Sequence, residues 1–164
     1  MIQDFESQLQ VSLRALQDVV APALAGAEKH VVEQLMLAVM TIGFVKTRMP
    51  EARRFYRMEL RSWLALARDV AGIAGGGHGL AAGIGAAEAA LSDPEKDIAD
   101  FEQASRQLRD AVTAASSAAA GTAHGKRIDA AILGRHSEML AQSRQWCLPF
   151  GFELQPELLP KPAW

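Results

Sequence analysis

The sequence has a single cysteine, Cys147, so an internal disulfide is excluded. It also lacks an excess of one charge, because 17 lysine and arginine residues stand against 19 aspartate and glutamate residues, for a net charge of −2. Nucleic-acid-binding proteins usually carry a strongly basic face, so nucleic acid is not expected as a partner. The strongly apolar stretch from Leu35 to Val45 is about half of the roughly 20 residues that span a bilayer, so no membrane partner is expected either.

The N-terminus lacks the features of a secretory signal peptide. Its first residues, MIQDFES, contain two acidic side chains and no basic region leading into an apolar run. We therefore expect a cytoplasmic protein.

Familiar catalytic and metal-binding patterns are missing as well. None of the four histidines follows a glutamate by three residues, so the Glu-x-x-His pairs of di-iron bundles are absent. Residues 77–82 match a relaxed dinucleotide-binding pattern, but a predicted helix precedes them where a strand is required. His136 and Cys147 are about 16 Å apart along one predicted helix, too far for a catalytic pair, and we interpret both as buried core side chains. We predict no catalytic residue, no metal ligand and no cofactor, which leaves enzyme activity open but favours a non-enzymatic protein.

Apolar residues recur at helical spacing along most of the chain, and no segment alternates as a strand does. The pattern predicts an all-α fold: an antiparallel up-and-down bundle of four long helices and one short helix, with residues 1–148 as a single domain. Helical patterns cover about 2–20, 27–48, 50–74, 80–91, 94–119 and 126–147, which are five long segments and one short one, one long segment more than the predicted bundle contains. The 94–119 helix is predicted to begin at the capping sequence Ser-Asp-Pro-Glu of residues 92–95.

The helix at 27–48 is apolar on all sides in its middle, from Leu35 to Val45. A helix without a polar face is typical of the centre of a bundle or of a subunit interface. We expect it to be the central helix, with the rest of the chain around it.

Residues 149–164 differ from the rest of the chain. Four prolines exclude a continuing helix, while phenylalanine, leucine and tryptophan side chains make the segment too apolar for a free tail. We expect an extended, proline-rich strap that packs on the bundle or on a partner subunit.

Arginines are concentrated on one side of the helix at 50–74. Arg54, Arg57, Arg61 and Arg68 fall within roughly 60° on a helical wheel, and Arg48 adds charge near the beginning of the helix. Guanidinium groups bind phosphate and carboxylate groups through paired hydrogen bonds, so this face suits an anion such as a phosphate or an acyl-CoA. The alternative is a solvated face whose arginines pair with acidic side chains.

Glu59 falls within the apolar arc of the same helix, where a carboxylate is costly unless it is paired or protonated. His30, Lys46 and Arg48 of the preceding helix are candidate partners, and His30, Gln34 and Arg48 share one stripe there. The alternatives are a buried polar network and a stripe that faces water or a partner. The predicted ligand-binding set comprises His30, Gln34, Arg48, Arg54, Arg57, Glu59 and Arg61.

The segment RRFYRMEL, residues 53–60, resembles a part of the C-terminal helical region of some acyl-CoA dehydrogenase-like proteins. The resemblance covers eight residues, and the flavin-binding and catalytic parts of that family have no counterpart here. It implies no residue role, and it favours an acyl-CoA or a protein partner for the arginine face.

Together these features favour a non-enzymatic helical bundle that acts through protein–protein contacts, either as a homodimer or as the accessory partner of a larger enzyme. The alternative function is the binding of an anionic small molecule, phosphate-like or acyl-CoA-like, at the arginine face.

Overall fold

The computed structural model describes residues 4–164, so Ile2, where the first helix was predicted to begin, lies outside the described residues. No strand occurs among the described residues, and the all-α prediction is confirmed. The helices are α1 (Phe5–Arg14), α2 (Lys29–Arg48), α3 (Ala52–Ala74), α4 (Leu80–Ser92), α5 (Ile98–Ala118) and α6 (Ala123–Cys147). The first helix does not end at Arg14: it continues as a π-helical segment, Ala15–Val20, and a last helical turn, Ala21–Ala23. Short 3₁₀ turns occur at Met49–Glu51, Leu148–Phe150 and Pro156–Leu158.

The chain divides into two compact units. The first unit contains the described residues up to Pro50 together with Trp146–Leu158, and the second contains Glu51–Gln145 together with Leu159–Trp164. Helices α1 and α2 therefore belong to the first unit, whereas α3, α4, α5 and nearly all of α6 belong to the second.

The second unit has a continuous core in which α3, α4 and α5 pack on one another. Each helix supplies a stripe of apolar residues at helical spacing; in α4 these are Leu80, Gly83, Ala87 and Ala90. Small residues let α4 approach α5 closely, since a Cβ atom on Gly83 would lie 3.2 Å from Leu108. Burial of a leucine or phenylalanine contributes about 1.5–3 kcal/mol. The fully buried large side chains are Leu60, Val70, Leu80, Phe101, Leu108 and Ile128.

The first unit is built differently. α1 and α2 pack on each other, yet Leu13 of α1 is the only buried side chain among the described residues of this unit. α2 itself has no buried residue. The prediction that this helix forms the centre of the bundle is therefore wrong, because the apolar stripes that match in size and spacing are those of α3, α4 and α5. Its alternative place, a subunit interface, stays a prediction.

The beginning of α5 lies at Asp97 rather than at the predicted capping sequence. The Asp97 side chain accepts hydrogen bonds from the backbone N–H groups of Ala99 and Asp100, and the Asp100 carboxylate accepts one from the N–H of Asp97. This reciprocal capping satisfies N–H groups that have no partner inside the helix. Pro94 and Glu95 form a turn before it.

The proline-rich C-terminal segment has no α-helix or strand after Cys147, and its two halves belong to different units. In the first unit, the Phe150 ring stacks on Phe44 of α2 with 4.3 Å between the ring centroids. In the second unit, Trp164 packs edge-on against Phe55 of α3 at 5.2 Å. These two contacts explain part of the apolar character from which the sequence analysis excluded a free tail.

Two glycines of α6 give opposite predictions. An added Cβ at Gly125 would meet the backbone carbonyl oxygen of Ala119, which cannot move aside, whereas a Cβ at Gly134 would meet nothing within 4 Å. We expect Gly125→Ala to lower the free energy of unfolding by about 1–3 kcal/mol, and Gly134→Ala to raise it by about 0.5–1 kcal/mol. Urea unfolding measures both, and equal stability of the two variants would contradict the packing described here.

Candidate functional site

Two features of the described chain can support a function. One is the exposed apolar surface of the α1–α2 hairpin in the first unit, and the other is a cleft between α3 and α6 in the second unit. Each is built from its residues below.

The hairpin surface follows from the positions on α2 that α1 does not cover. One face of α2 is half-buried, with residues at a spacing of four, three and four: Leu35, Val39, Ile42 and Lys46. Because Lys46 pairs with Glu6 of α1 at 3.9 Å, this face points toward α1. On the rest of α2, Met36 and Leu37 are about half exposed, at 55% and 52%. We call the exposed apolar side chains of both helices the hairpin surface: Phe5, Val11, Val19, Val20, Val31, Val32, Met36, Leu37 and Val45.

The cleft in the second unit has a volume of about 190 Å³. Its apolar wall consists mainly of Phe55, Met58, Trp63, Met139 and Leu140, from α3 and α6. The polar side chains that reach it are those of Glu59, Ser62, His136, Gln142 and Ser143. A mostly apolar cavity with a few polar groups is typical of small-molecule sites.

Glu59 is the carboxylate of this cleft, and burial raises its pKa above the ordinary value for glutamate. Three neighbours act on it as well. The guanidinium of Arg109 on α5 and the polar side chain of Trp63 lower the pKa, and the negative charge of Glu102 raises it. Glu59 is thus half-buried as its place on the helical wheel predicted, and its nearby cation is Arg109.

Tyr56 extends this polar group along α3. Burial and the negative charges of Glu102 and Glu59 raise the pKa of the Tyr56 hydroxyl. Beside it, the Arg109 guanidinium lies over the Trp63 ring, 5.7 Å from the centroid. The carboxylates of Glu59 and Glu102 therefore both lie near the guanidinium of Arg109 at this edge of the core.

The last residues of the chain hold one wall of the cleft. The buried amide of Gln142 donates to the carbonyl oxygen of Lys161 at 3.4 Å and accepts from the N–H of Ala163 at 3.2 Å. The Trp164 indole donates to Glu51 at 3.2 Å while its ring packs on Phe55. Because Gln142 and Phe55 both line the cleft, these contacts fix the positions of its α3 and α6 walls.

The arginine face of α3 is used mainly for internal contacts. Arg57 donates to the carbonyl oxygen of Leu91 at 2.8 Å, at the C-terminal end of α4. Arg53 donates to the carbonyl oxygens of Pro94 and Lys96, and Arg68 pairs with Glu88 at 2.7 Å. These contacts join α3 to α4 and to the loop before α5.

The other two predicted arginines have different surroundings. Arg54 and Arg61 are exposed, and Arg61 lines a shallow hollow together with Arg135 and Glu138 of α6. The structure therefore does not gather Arg54, Arg57 and Arg61 around one cavity, and anion binding at this face stays a prediction.

The remaining predicted residues lie in the first unit. His30 is exposed, with its Nδ1 atom 3.2 Å from the Glu28 carboxylate, and Gln34 is exposed as well. Arg48 donates to the carbonyl oxygen of Trp146 at 2.8 Å, and its guanidinium lies over the Trp146 ring at 5.1 Å. The seven residues of the predicted ligand set are thus divided between the two units.

Sequence reasoning misjudged α6. The predicted burial of His136 and Cys147 is wrong: both are exposed, because α6 buries only Gly125, Ile128 and Gln142. His136 instead lines the cleft, as do Trp63 and Met139, which also border a second hollow of about 290 Å³ beside Arg109. The helical wheel of α3 identified Glu59, but no sequence signal indicated that α6 would leave a gap beside it.

The described residues were also searched for two other kinds of site. Nowhere in 4–164 do three or more histidine, cysteine, aspartate or glutamate side chains group so that they could hold a metal ion. Over the same residues, no helix has the length and apolar character needed to cross a membrane.

A scan against models of protein families, a search of curated proteins and a search of solved structures find no match to this chain. They add no support to the eight-residue resemblance to acyl-CoA dehydrogenase-like proteins. Function must therefore be argued from the geometry of the hairpin surface and of the cleft.

The raised pKa of Glu59 predicts a particular dependence of stability on pH. Between the pKa of the unfolded chain and the higher pKa of the folded chain, the folded state binds more protons, so stability falls as the pH rises. Glu59→Gln keeps the shape of the side chain and removes this titration. We expect the free energy of unfolding of the wild type to decrease relative to that of Glu59→Gln as the pH rises above 4.5, the ordinary pKa of glutamate.

Urea unfolding of both proteins at each pH tests this, with the exposed Glu95 changed to Gln as the control. A difference between wild type and Glu59→Gln that stays constant with pH would contradict the burial of this carboxylate.

Proposed function

We propose that this protein acts through protein–protein contacts and that its first contact is with a second copy of itself, made through the hairpin surface. The observation that carries the proposal is the apolar exposure of α1 and α2 around a unit with a single buried side chain, Leu13. Small helical units need additional burial to be stable, and oligomerisation is a common way to obtain it.

The charge pattern of α2 favours a second copy of this helix as the partner. No charged residue occurs between Glu33 and Lys46, a stretch of about 18 Å along the helix axis. The N-terminal side of this stretch carries two carboxylates, Glu28 and Glu33, and one ammonium group, Lys29, while the C-terminal side carries Lys46 and Arg48.

An antiparallel pair of such helices brings the acidic end of each copy to the basic end of the other. The helix dipoles are also opposed in that arrangement, which is favourable. The result is an isologous twofold interface, in which the same surface is used on both copies and closes the assembly at a dimer. Two α1–α2 hairpins paired in this way form a four-helix bundle.

The structure suggests no chemistry for this surface, because its side chains are apolar. The proposal is therefore a dimerisation and interaction module rather than an enzyme.

Leu37→Glu tests the proposal, with Leu133→Glu as its matched control. Both leucines are exposed, at 52% and 71%, but Leu37 lies on the hairpin surface and Leu133 on α6 of the second unit. Because a twofold interface contains each residue twice, we expect Leu37→Glu to weaken dimerisation by at least about 100-fold. Leu133→Glu should leave the dimerisation constant unchanged.

Light scattering coupled to size exclusion, over a range of concentrations, measures the mass. The wild type and Leu133→Glu should have twice the mass of the chain, and Leu37→Glu the mass of one chain. A monomeric wild type at high concentration, or dimerisation that is unaffected by Leu37→Glu, would overturn the proposal.

A further inference from the structure

We propose that the cleft between α3 and α6 binds a small molecule in which a protonated amine is attached to an apolar or aromatic body, with Glu59 as the counter-ion of the amine. The site lies wholly within the second unit and is independent of the proposed dimerisation.

The shape and lining of the cleft define the body of the ligand. An apolar cavity of about 150 Å³ is large enough for benzene, so the 190 Å³ of this cleft accommodate one ring with a short side chain. Phe55 and Trp63 supply aromatic surfaces, and Met58 and Met139 supply flexible thioethers, which adapt to ligands of differing outline.

The charge of the cleft defines the polar group of the ligand. Among the described residues that line it, Glu59 is the only carboxylate, and there is no lysine or arginine. An anionic ligand would therefore face a like charge with no cation in the wall, whereas an ammonium group would find an opposite charge in an apolar setting, where the attraction is strong.

The neighbours of Glu59 leave this role open to a ligand. Arg109 is the nearby cation, but it acts on Glu59 beside a second carboxylate, Glu102, and lies over the Trp63 ring. When both carboxylates are ionised, Glu59, Glu102 and Arg109 together carry a net charge of −1. An incoming ammonium group balances this charge, and the Trp63 ring provides an additional cation–π surface.

Further hydrogen-bond partners lie along the same wall. The Ser62 hydroxyl already donates to the carbonyl oxygen of Met58 at 3.2 Å, so its lone pairs remain as acceptors. His136 and Ser143 supply a ring nitrogen and a second hydroxyl on the α6 side. An ammonium group has three donors, and these groups together with Glu59 offer enough acceptors for all three.

Three probes that share a phenyl ring on a two-carbon chain and differ in the charge of the terminal group test the proposal: phenethylamine, 2-phenylethanol and 3-phenylpropionate. Each is titrated into the ¹⁵N-labelled protein, and the indole N–H signal of Trp63, which lines the cleft together with Glu59, reports its occupancy. We expect saturable binding of phenethylamine at least about tenfold tighter than binding of the alcohol, and weaker binding still of the carboxylate.

Two variants separate the charge from the shape of the site. Glu59→Gln should remove the preference for the amine and retain the affinity for 2-phenylethanol. The exposed Glu95→Gln, which makes the same change of charge outside the cleft, should retain the preference.

The comparison of the three probes on the wild type does not depend on how any variant folds. Equal affinity for amine and alcohol, tightest binding of the carboxylate, no saturable binding of phenethylamine, or an amine preference that persists in Glu59→Gln would each overturn the proposal. Since light scattering reports the mass separately, failure of amine binding and failure of dimerisation are distinguishable.

Discussion

The second unit depends on the close packing of α3 against α4 and α5. Its core side chains, Leu60, Val70, Leu80 and Leu108 among them, are excluded from water, and Gly83 lets two backbones approach where a larger residue would separate them. Cores of this density do not tolerate a displaced helix. The positions of the polar side chains at the edge of the core are therefore fixed by the apolar ones inside it.

That constraint explains how a carboxylate comes to lie in an apolar wall. Glu59 is adjacent in sequence to the fully buried Leu60 and one helical turn before Trp63. It cannot turn away from the α3–α5 contact without moving Leu60 as well. Arg109 and the Trp63 side chain offset part of the free-energy cost of burying the Glu59 carboxylate. The cost that remains raises the pKa of Glu59.

The first unit shows the opposite balance. Helix α2 is more apolar than α3, yet it buries no side chain, because its neighbours offer aromatic contacts at one end, Phe44 on Phe150, rather than a matching stripe along its length. Exposed apolar surface of this extent is costly in water and marks interaction sites. The exposed apolar surface and the cleft thus lie on different helices.

Sequence patterns alone determined the all-α class, most of the helices to within a few residues and the inward place of Glu59, because these depend on local spacing along one helix. Local spacing also predicted that α2 is the central helix, and this prediction is wrong. The apolar character of a helix indicates that it packs against something, but it does not identify the partner. Other features depend on which helices become neighbours. They are the burial of α3, the hydrogen bond from Arg57 to the end of α4, and the position of Trp63 and His136 on one cleft. Those contacts are set by the fit of side chains distant in sequence, which only the tertiary structure decides.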